Sequence, residues 1–548
     1  MISDTLKVRT LTVNAQDNVA VALTDLEAGE QLEVAGKTII LKENIKLKHK
    51  YALHDFDTGD ELIMYGIIVG KATQPIASGQ AITTTNVSHK TAKVHQRNPR
   101  TQFPAIDVSK WRGQTFKGFV RSDGRVGTAN YWLVFPLVFC ENKNIEIIKD
   151  AINDALGYSR YHKYRQIARQ IVHGKASQKN EGGNQNSHQE NTNPFKNVDG
   201  VRFLTHQMGC GGTRQDAQAL CGLLAGYLNN PNVAGATVLS LGCQNAQFEI
   251  LKEEINKRNP AFDKPLYYFD QQTLGSEDVL IETAITATID GLKMANELER
   301  TAAPISKLVI GLECGGSDGF SGISANPVLG RVSDIISTLG GSAVLSEFPE
   351  LCGVEQELSD RCANDEIAAK FLDLMEKYQN SALAVGSSFD MNPSPGNIKD
   401  GLITDAMKSA GAAKKGGSTM VTDVLDYPEP VNKPGLNLLC TPGNDVESTT
   451  ALAGSGANII LFTTGLGTPT GNPVTPVIKV SSNNQLSEKM SDIIDFNTGG
   501  VITGQVSIEE AADDLLEEII QIASGEKKSK AMINEQYDFI PWKRGVSL

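Results

Sequence analysis

From residue 8 to about 88 the chain alternates apolar and polar positions in short runs, among them Val19-Ala-Val-Ala-Leu, Thr38-Ile-Ile-Leu, Glu61-Leu-Ile-Met-Tyr and Ile67-Ile-Val-Gly, with turns at Gly29, Gly36, Gly59 and Gly79. Alternation at a period of two, punctuated by glycine, predicts short strands in a compact β module over residues 1–90. Residues 91–116 bring Lys, Arg, Gln and two prolines with little periodicity and read as a linker. Beyond it the pattern changes in kind. Apolar runs become continuous, and each ends in a turn of glycine and small polar residues. Val201-Arg-Phe-Leu-Thr precedes His206-Gln-Met-Gly-Cys210, and Ala236–Leu241 precedes Gly242-Cys243. Lys307-Leu-Val-Ile-Gly opens a loop to Asn326, Leu436–Cys440 precedes Thr441–Asp445, and Asn458–Thr464 precedes Gly465-Leu-Gly-Thr-Pro-Thr-Gly. An unbroken apolar run suits a strand buried on both faces, as in a helix-covered parallel sheet, where the ligand sits outside the carboxyl ends. The expected fold is therefore α/β: a small β module, then a larger region of mainly parallel α/β sheets with domains at 117–303 and 304–548. Helical spacing is expected over Asn144–Asp154, over Ala217–Leu228, from Val446 with Asp445 as N-cap, and from Ser507, where Ser507 and Glu510 form a capping box. Residues 174–193, poor in apolar side chains, read as a flexible insertion in which His188 is solvated.

The densest of these turns is Gly311–Asn326, GLECGGSDGFSGISAN, with five glycines in sixteen residues. Such density costs conformational entropy and calls for positive φ or a ligand lying close to the backbone. Either Ser317 and Asp318 face a ligand across glycines that make room for it, or the loop is a tight strand-to-helix turn that binds nothing. No loop has the spacing of a dinucleotide fingerprint or a Walker motif. In Gly118–Tyr131, Arg121 and Arg125 flank Asp123, a pattern that fits bidentate carboxylate recognition and equally a surface hairpin with local ion pairs.

Charge then narrows the partners. With 51 Lys+Arg against 64 Asp+Glu the net charge is −13, which argues against nucleic acid or an anionic membrane and requires any acidic substrate to meet a local basic site. No basic-then-apolar leader and no long apolar run is visible, so a cytoplasmic protein is expected, with room for a homo-oligomer. The eight cysteines lack CxxC spacing, so reduced thiols are expected. All eight histidines lie at or before His206, so acid–base chemistry in the C-terminal part must use other side chains or borrow an imidazole from the N-terminal part.

Several stretches, GFVRSDGRVGTANY, HQMGCGGTR, SLGCQNAQ, GLECGGSDGFSGISANPVLG, NPSPGN (392–397), TPGND (441–445) and LFTTGLGTPTGNP, together resemble the altronate/galactarate dehydratase family, and the β module resembles that family's SAF domain of the β-clip type. The likeness covers nearly the whole chain except the 174–193 insertion, and NPSPGN and TPGND are closer to the altronate branch. It implies a hydro-lyase of hexuronate catabolism that removes water from a sugar acid, D-altronate before galactarate, to give a 2-keto-3-deoxy acid. It also implies a divalent ion, Fe2+ or else Mn2+. The competing readings are a nucleotide-dependent oxidoreductase and a non-catalytic sugar-acid binder.

Dehydration α to a carboxylate needs a base, an acid and an electrophile, and a bound ion supplies the last. On the family motifs the candidates for catalysis are His206, Asp318 and His49, which holds the family's H-K position. Arg121, Arg125, Ser317, Asn326, Asn397 and Asn444 are the candidates for substrate, and Cys140, Cys210, Cys243 and Cys314, each near a strand end, for the ion. His206 is as readily a structural residue, and the thiols as readily small buried hydrophobes. One departure stands out: where many altronate dehydratases carry V-H-x-H-N in the SAF domain, this chain has Ile82-Thr83-Thr84-Thr85-Asn86, with His89 close by but out of register.

Overall fold

The computed structural model describes residues 8–157, 162–173 and 194–547; the 174–193 insertion and His188 lie outside them. The N-terminal module is built of short antiparallel strands. Thr10–Leu11, Val19–Ala22, Lys50–Ala52 and Ala81–Ile82 form one sheet, Gln31–Val34 and Lys37–Ile40 a hairpin, and Glu61–Met64, Ile67–Ala72 and Val87–Ser88 a third group. Its turns take positive φ at Gly29, Gly36, Gly59 and Gly79, which is why glycine marks them in the sequence.

The continuous apolar runs form two parallel sheets. In the middle region Gly200–Phe203, Tyr131–Pro136, Val233–Ser240 and Leu266–Asp270 lie in that spatial order. In the C-terminal region seven parallel strands run in the order Val421–Leu425, Gly435–Leu439, Ser342–Leu345, Val309–Cys314, Ile459–Thr464, Val477–Ser481, Phe496–Asn497. The chain leaves Val309–Cys314 toward one edge and returns through Ile459–Thr464 toward the other, so the switch point lies between these two strands. Helices Arg214–Asn229 and Asp445–Gly454 pack between the sheets. They approach so closely that a Cβ on Gly226 would lie 1.9 Å from the Gly454 carbonyl oxygen.

One expectation needs correction, and one gains detail. Residues 91–116, read as a linker, carry no long element and are held along the C-terminal region. Arg97 binds Asp365 and the Cys362 carbonyl, Arg100 N–H donates to the Asp360 carbonyl at 2.8 Å, and the buried Trp111 indole donates to Asp513 at 2.9 Å. The N-cap of the helix after TPGN is Asn444, whose side chain accepts from the Val446 and Glu447 N–H groups, and the helix begins at Asp445, one residue earlier than expected. The Ser507/Glu510 capping box is present and opens helix Ile508–Ala523. No helix among the described residues is long and apolar enough to cross a membrane.

Candidate active site

The central strand Val309–Cys314 delivers its Gly-rich loop to the seam with the N-terminal module. Asp318, fully buried, accepts from the Phe320 and Ser321 N–H groups and from the Ser321 and Ser482 hydroxyls on one oxygen, and from Lys48 Nζ at 2.8 Å and Asn483 at 3.1 Å on the other. Lys48 also reaches Asp400 at 3.3 Å, and His49 Nε2 lies 3.0 Å from the Lys399 carbonyl. Beside them Lys50 is buried and donates to the Lys48 and Gly401 carbonyls; burial brings its pKa down to about 7 against the pull of Asp318. Asp318 thus latches the module to the sheet, with protein donors on both of its oxygens.

On the other side of the same strand lies a cluster the motifs did not single out. Lys415 Nζ, fully buried, sits 2.8 Å from Cys314 Sγ and 2.7 Å from Glu347. Lys408 pairs with Glu350 at 2.5 Å and donates to Asn392 at 3.0 Å, and the Cys314 thiol lies 3.3 Å from Glu347 and 3.1 Å from Glu350. Glu313, next to Cys314, accepts from Ser448 at 2.6 Å and Ser346 at 2.9 Å. Glu347 follows strand Ser342–Leu345 in the left-handed region, φ 66°, an unfavourable place for a non-glycine residue and one that a functional site typically explains.

The electrostatics sort these groups. Burial and Glu347 push Glu313 far above the carboxylate range, and burial and Glu350 push Glu347 upward. Burial raises Glu350 too, but Lys408 and Lys415 outweigh it and keep it below its usual value. Burial works against the Lys415 charge, yet Cys314, Glu347 and Glu350 overcome it and hold the ammonium well above its usual range. Asp445, at the first turn of its helix and partly exposed, is lifted to about 7 by burial, Glu347 and Glu350. Its placement depends on a glycine: a Cβ on Gly315 would come 2.2 Å from an Asp445 carboxylate oxygen. Gly315→Ala is therefore expected to displace Asp445 and lower kcat/KM about 100-fold, and, because the same Cβ would come 2.6 Å from the buried Phe462 ring, to lower the melting temperature as well, as steady-state kinetics and a melting curve would show.

Other residues expected at the site hold the frame instead. Both ring nitrogens of buried His206 are engaged, by the Pro136 carbonyl at 2.9 Å and the Met208 N–H at 3.2 Å, and burial drops its pKa to about 4. These contacts tie it to the end of strand Tyr131–Pro136 and to the Cys210 loop. Arg121 is buried against the Pro231 carbonyl at 2.7 Å and the Asn130 side chain at 2.9 Å, and Arg125 is tied to Asp123. Both precede the amino end of strand Tyr131–Pro136, away from the loops at its carboxyl end. Asn326 links the Thr463 hydroxyl to the Gly411 carbonyl, and Asn397 closes a capping box with Ser394 and donates to the Ser317 carbonyl at 2.7 Å. Buried Ser317 and the N-cap Asn444 shape the loops at the centre.

The four cysteines do not form one set. Cys140, Cys210 and Cys243 follow three adjacent strands of the middle sheet, and their loops interlock: Phe139 N–H donates to the Met208 carbonyl at 3.1 Å and the Asn245 side chain to the Cys210 carbonyl at 2.6 Å. Burial and the two neighbouring thiols push the Cys140 thiol upward. Cys314 belongs instead to the C-terminal sheet, where the Lys415 ammonium already occupies the position a cation would take between it and Glu347. A different donor set lies on the seam: His89, Cys352 and Asp405 offer a nitrogen, a sulfur and a carboxylate oxygen within 4.8 Å of one another. Apart from the Cys352 thiol, neither oxygen of buried Asp405 has a hydrogen-bond partner among the described residues.

Carboxylates and ammoniums gather at the carboxyl ends of a parallel sheet next to a docked β module, groups of the kind that can move protons on a small anionic molecule. Comparison with known proteins agrees along the whole chain. Residues 8–90 match the altronate/galactarate dehydratase SAF domain, 118–296 the second domain of D-galactarate dehydratase/altronate hydrolase, and 305–547 the C-terminal domain of D-galactarate/altronate dehydratase. An altronate dehydratase of Bacillus subtilis is 34% identical over 98% of this chain and 99% of its own length, and one of Escherichia coli 33% identical over the same shares. A galactarate dehydratase (L-threo-forming) of Escherichia coli is 30% identical over 94% of this chain and 93% of its own. The chain belongs to the altronate/galactarate dehydratase family and is a hydro-lyase of sugar acids.

Proposed function

We propose that the substrate is D-altronate, that the product is 2-keto-3-deoxy-D-gluconate, and that turnover requires a divalent ion, Fe2+ or Mn2+. The observation that carries the reading is Asp445: a partly exposed carboxyl held near pKa 7, next to a buried, charge-balanced set of carboxylates and ammoniums. A base works best when its pKa lies near the working pH. Asp445 takes the proton from C2 of the aldonate. Asp445, protonated by that step, passes the proton on to the departing C3 hydroxyl as the C3–O bond breaks, while the Lys408 ammonium, which burial disfavours but Glu350 holds well above its usual range, adds positive charge beside the leaving oxygen. The resulting enol tautomerises to the keto acid. Lys415, 1% exposed, stays out of reach and fixes the charge of Glu347 and Cys314. Protonated Glu313 adds no negative charge to repel the substrate. When bound, a divalent ion supplies the Lewis acid that withdraws charge from the substrate carboxylate. Cys314 already faces the Lys415 ammonium, so the donors that would hold the ion are His89, Cys352 and Asp405, near enough to Glu350 for its charge to be felt at Asp405.

The test offers altronate and galactarate separately to the anaerobic enzyme and reads keto acid as its semicarbazone. Altronate should be turned over faster, activity should vanish on chelation, and ferrous iron should restore it. No keto acid from altronate with iron present would sink the substrate assignment; full activity in excess chelator would sink the metal dependence.

A further inference from the structure

We infer that the chain carries a mixed-donor metal site formed by His89, Cys352 and Asp405 across the seam between the N-terminal module and the C-terminal sheet. The inference rests on the metal-dependent reading above and gives the ion a place. His89 lies just past the module's last strand, Val87–Ser88, Cys352 just past the short helix Phe348–Leu351, and Asp405 in the first turn of helix Asp405–Ala412. Three segments distant in sequence thus bring imidazole, thiol and carboxylate within 4.8 Å of one another.

The carboxylate is the telling member. Asp405 is hidden from water, and among the described residues only the weak donor thiol of Cys352 reaches it; a buried carboxyl satisfied so poorly is costly, and native structures seldom leave one so. No ammonium or guanidinium compensates it directly: the nearest cation, Lys408, is committed to Glu350 and Asn392. His89 is bound no more tightly, its Nδ1 meeting the Ala406 N–H at a long 3.4 Å, a contact that a cation beside Asp405 would replace. Asp390 and Glu355 add negative charge around the trio. The contrast with Cys314, Glu347 and Glu350 is direct. Those donors are equally close but already hold two ammoniums, whereas the seam trio holds none.

One nitrogen, one sulfur and one oxygen make a borderline set that suits Fe2+, Co2+ or Zn2+ better than Mg2+ or Ca2+. Three protein ligands leave coordination positions for water or substrate, as a catalytic rather than a structural site requires.

Cobalt(II) reports on the site without any assay of turnover, because a thiolate bound to it gives a charge-transfer band. The full chain, reduced and stripped of metal, is titrated with Co2+ alongside four variants whose folding is checked by melting curves. The band should appear with wild-type protein and with Cys210→Ser, and disappear with Cys352→Ser. His89→Ala, a half-exposed change that leaves the core untouched, and Asp405→Asn should each weaken Co2+ binding at least roughly tenfold. A band that survives Cys352→Ser, or that is lost with Cys210→Ser, overturns the assignment and puts the ion on the thiols of the middle sheet. Unchanged affinity in a folded His89→Ala overturns it as well. Failure of altronate turnover leaves these spectra unaffected, so the two readings fall separately.

Discussion

Asp445→Asn should lower kcat/KM by about 100- to 10,000-fold, the usual worth of a positioned general base, and at the same time make the protein more stable above neutral pH. The two effects have one cause. In the unfolded chain an aspartate titrates near 4, whereas burial, Glu347 and Glu350 hold Asp445 at about 7 in the folded enzyme. Below about pH 4 both states are protonated and the group is neutral to folding. As pH rises from there to 7 the unfolded chain ionises first, so the wild-type enzyme loses stability that the amide variant keeps. The melting temperatures of the two proteins should therefore coincide at low pH, separate progressively between about pH 4 and 7 with the variant higher, and keep that difference above 7. The wild-type pH profile of kcat/KM should rise through an apparent value near 7. An inactive variant that is less stable at pH 8 would show that the carboxylate supports the loop structurally, and that the base lies elsewhere.

Much of this architecture is visible in the order of apolar residues. Continuous runs ending in glycine mark strands buried on both faces, and residues 201, 236, 309, 436 and 459 each fall in one. The loops were likewise legible, because Gly315 and Gly316 have backbone reasons that survive in the composition. What the sequence does not show is direction. His206, Arg121 and Asn326 stand in the expected loops, yet each turns inward to satisfy a carbonyl or a neighbouring side chain, and residue type alone does not distinguish an inward from an outward turn. The acid–base cluster was hidden for a different reason. Glu347 and Glu350 lie in SEFPE, without a glycine, and Lys408 and Lys415 arrive from a helix and its 3-10 extension some sixty residues further on. Lys414 and Lys415 are adjacent in sequence, but one is exposed and the other buried, a difference that only the packing against Cys314 and Glu347 creates. Asp445 itself was read as a cap, and its one-residue shift into the helix is what frees the carboxyl from that task.

Lys415→Met should cost about 3–5 kcal/mol of stability, because it leaves Glu347 buried without its partner 2.7 Å away. The methionine fills the same tunnel, so the loss comes from charge and not from a cavity. Burial alone already raises Glu347, and without the ammonium it would be raised further, so the variant recovers part of its stability at low pH by binding a proton. Its deficit relative to wild type should therefore grow as pH rises above the ordinary carboxylate range. A second change separates stability from function. Glu347→Gln on the Lys415→Met background removes the orphaned charge and should restore most of the lost stability at pH 8. Activity should not return with it. The pair sets the field that keeps Asp445 near neutrality, and without the Glu347 charge Asp445 becomes a stronger acid and a weaker base. The double variant should thus fold well, titrate its kcat/KM at a lower pH than wild type, and remain at least roughly tenfold slower at pH 7. Wild-type turnover in that protein would mean that the buried pair only supports the fold, and that Asp445 owes its pKa to burial alone.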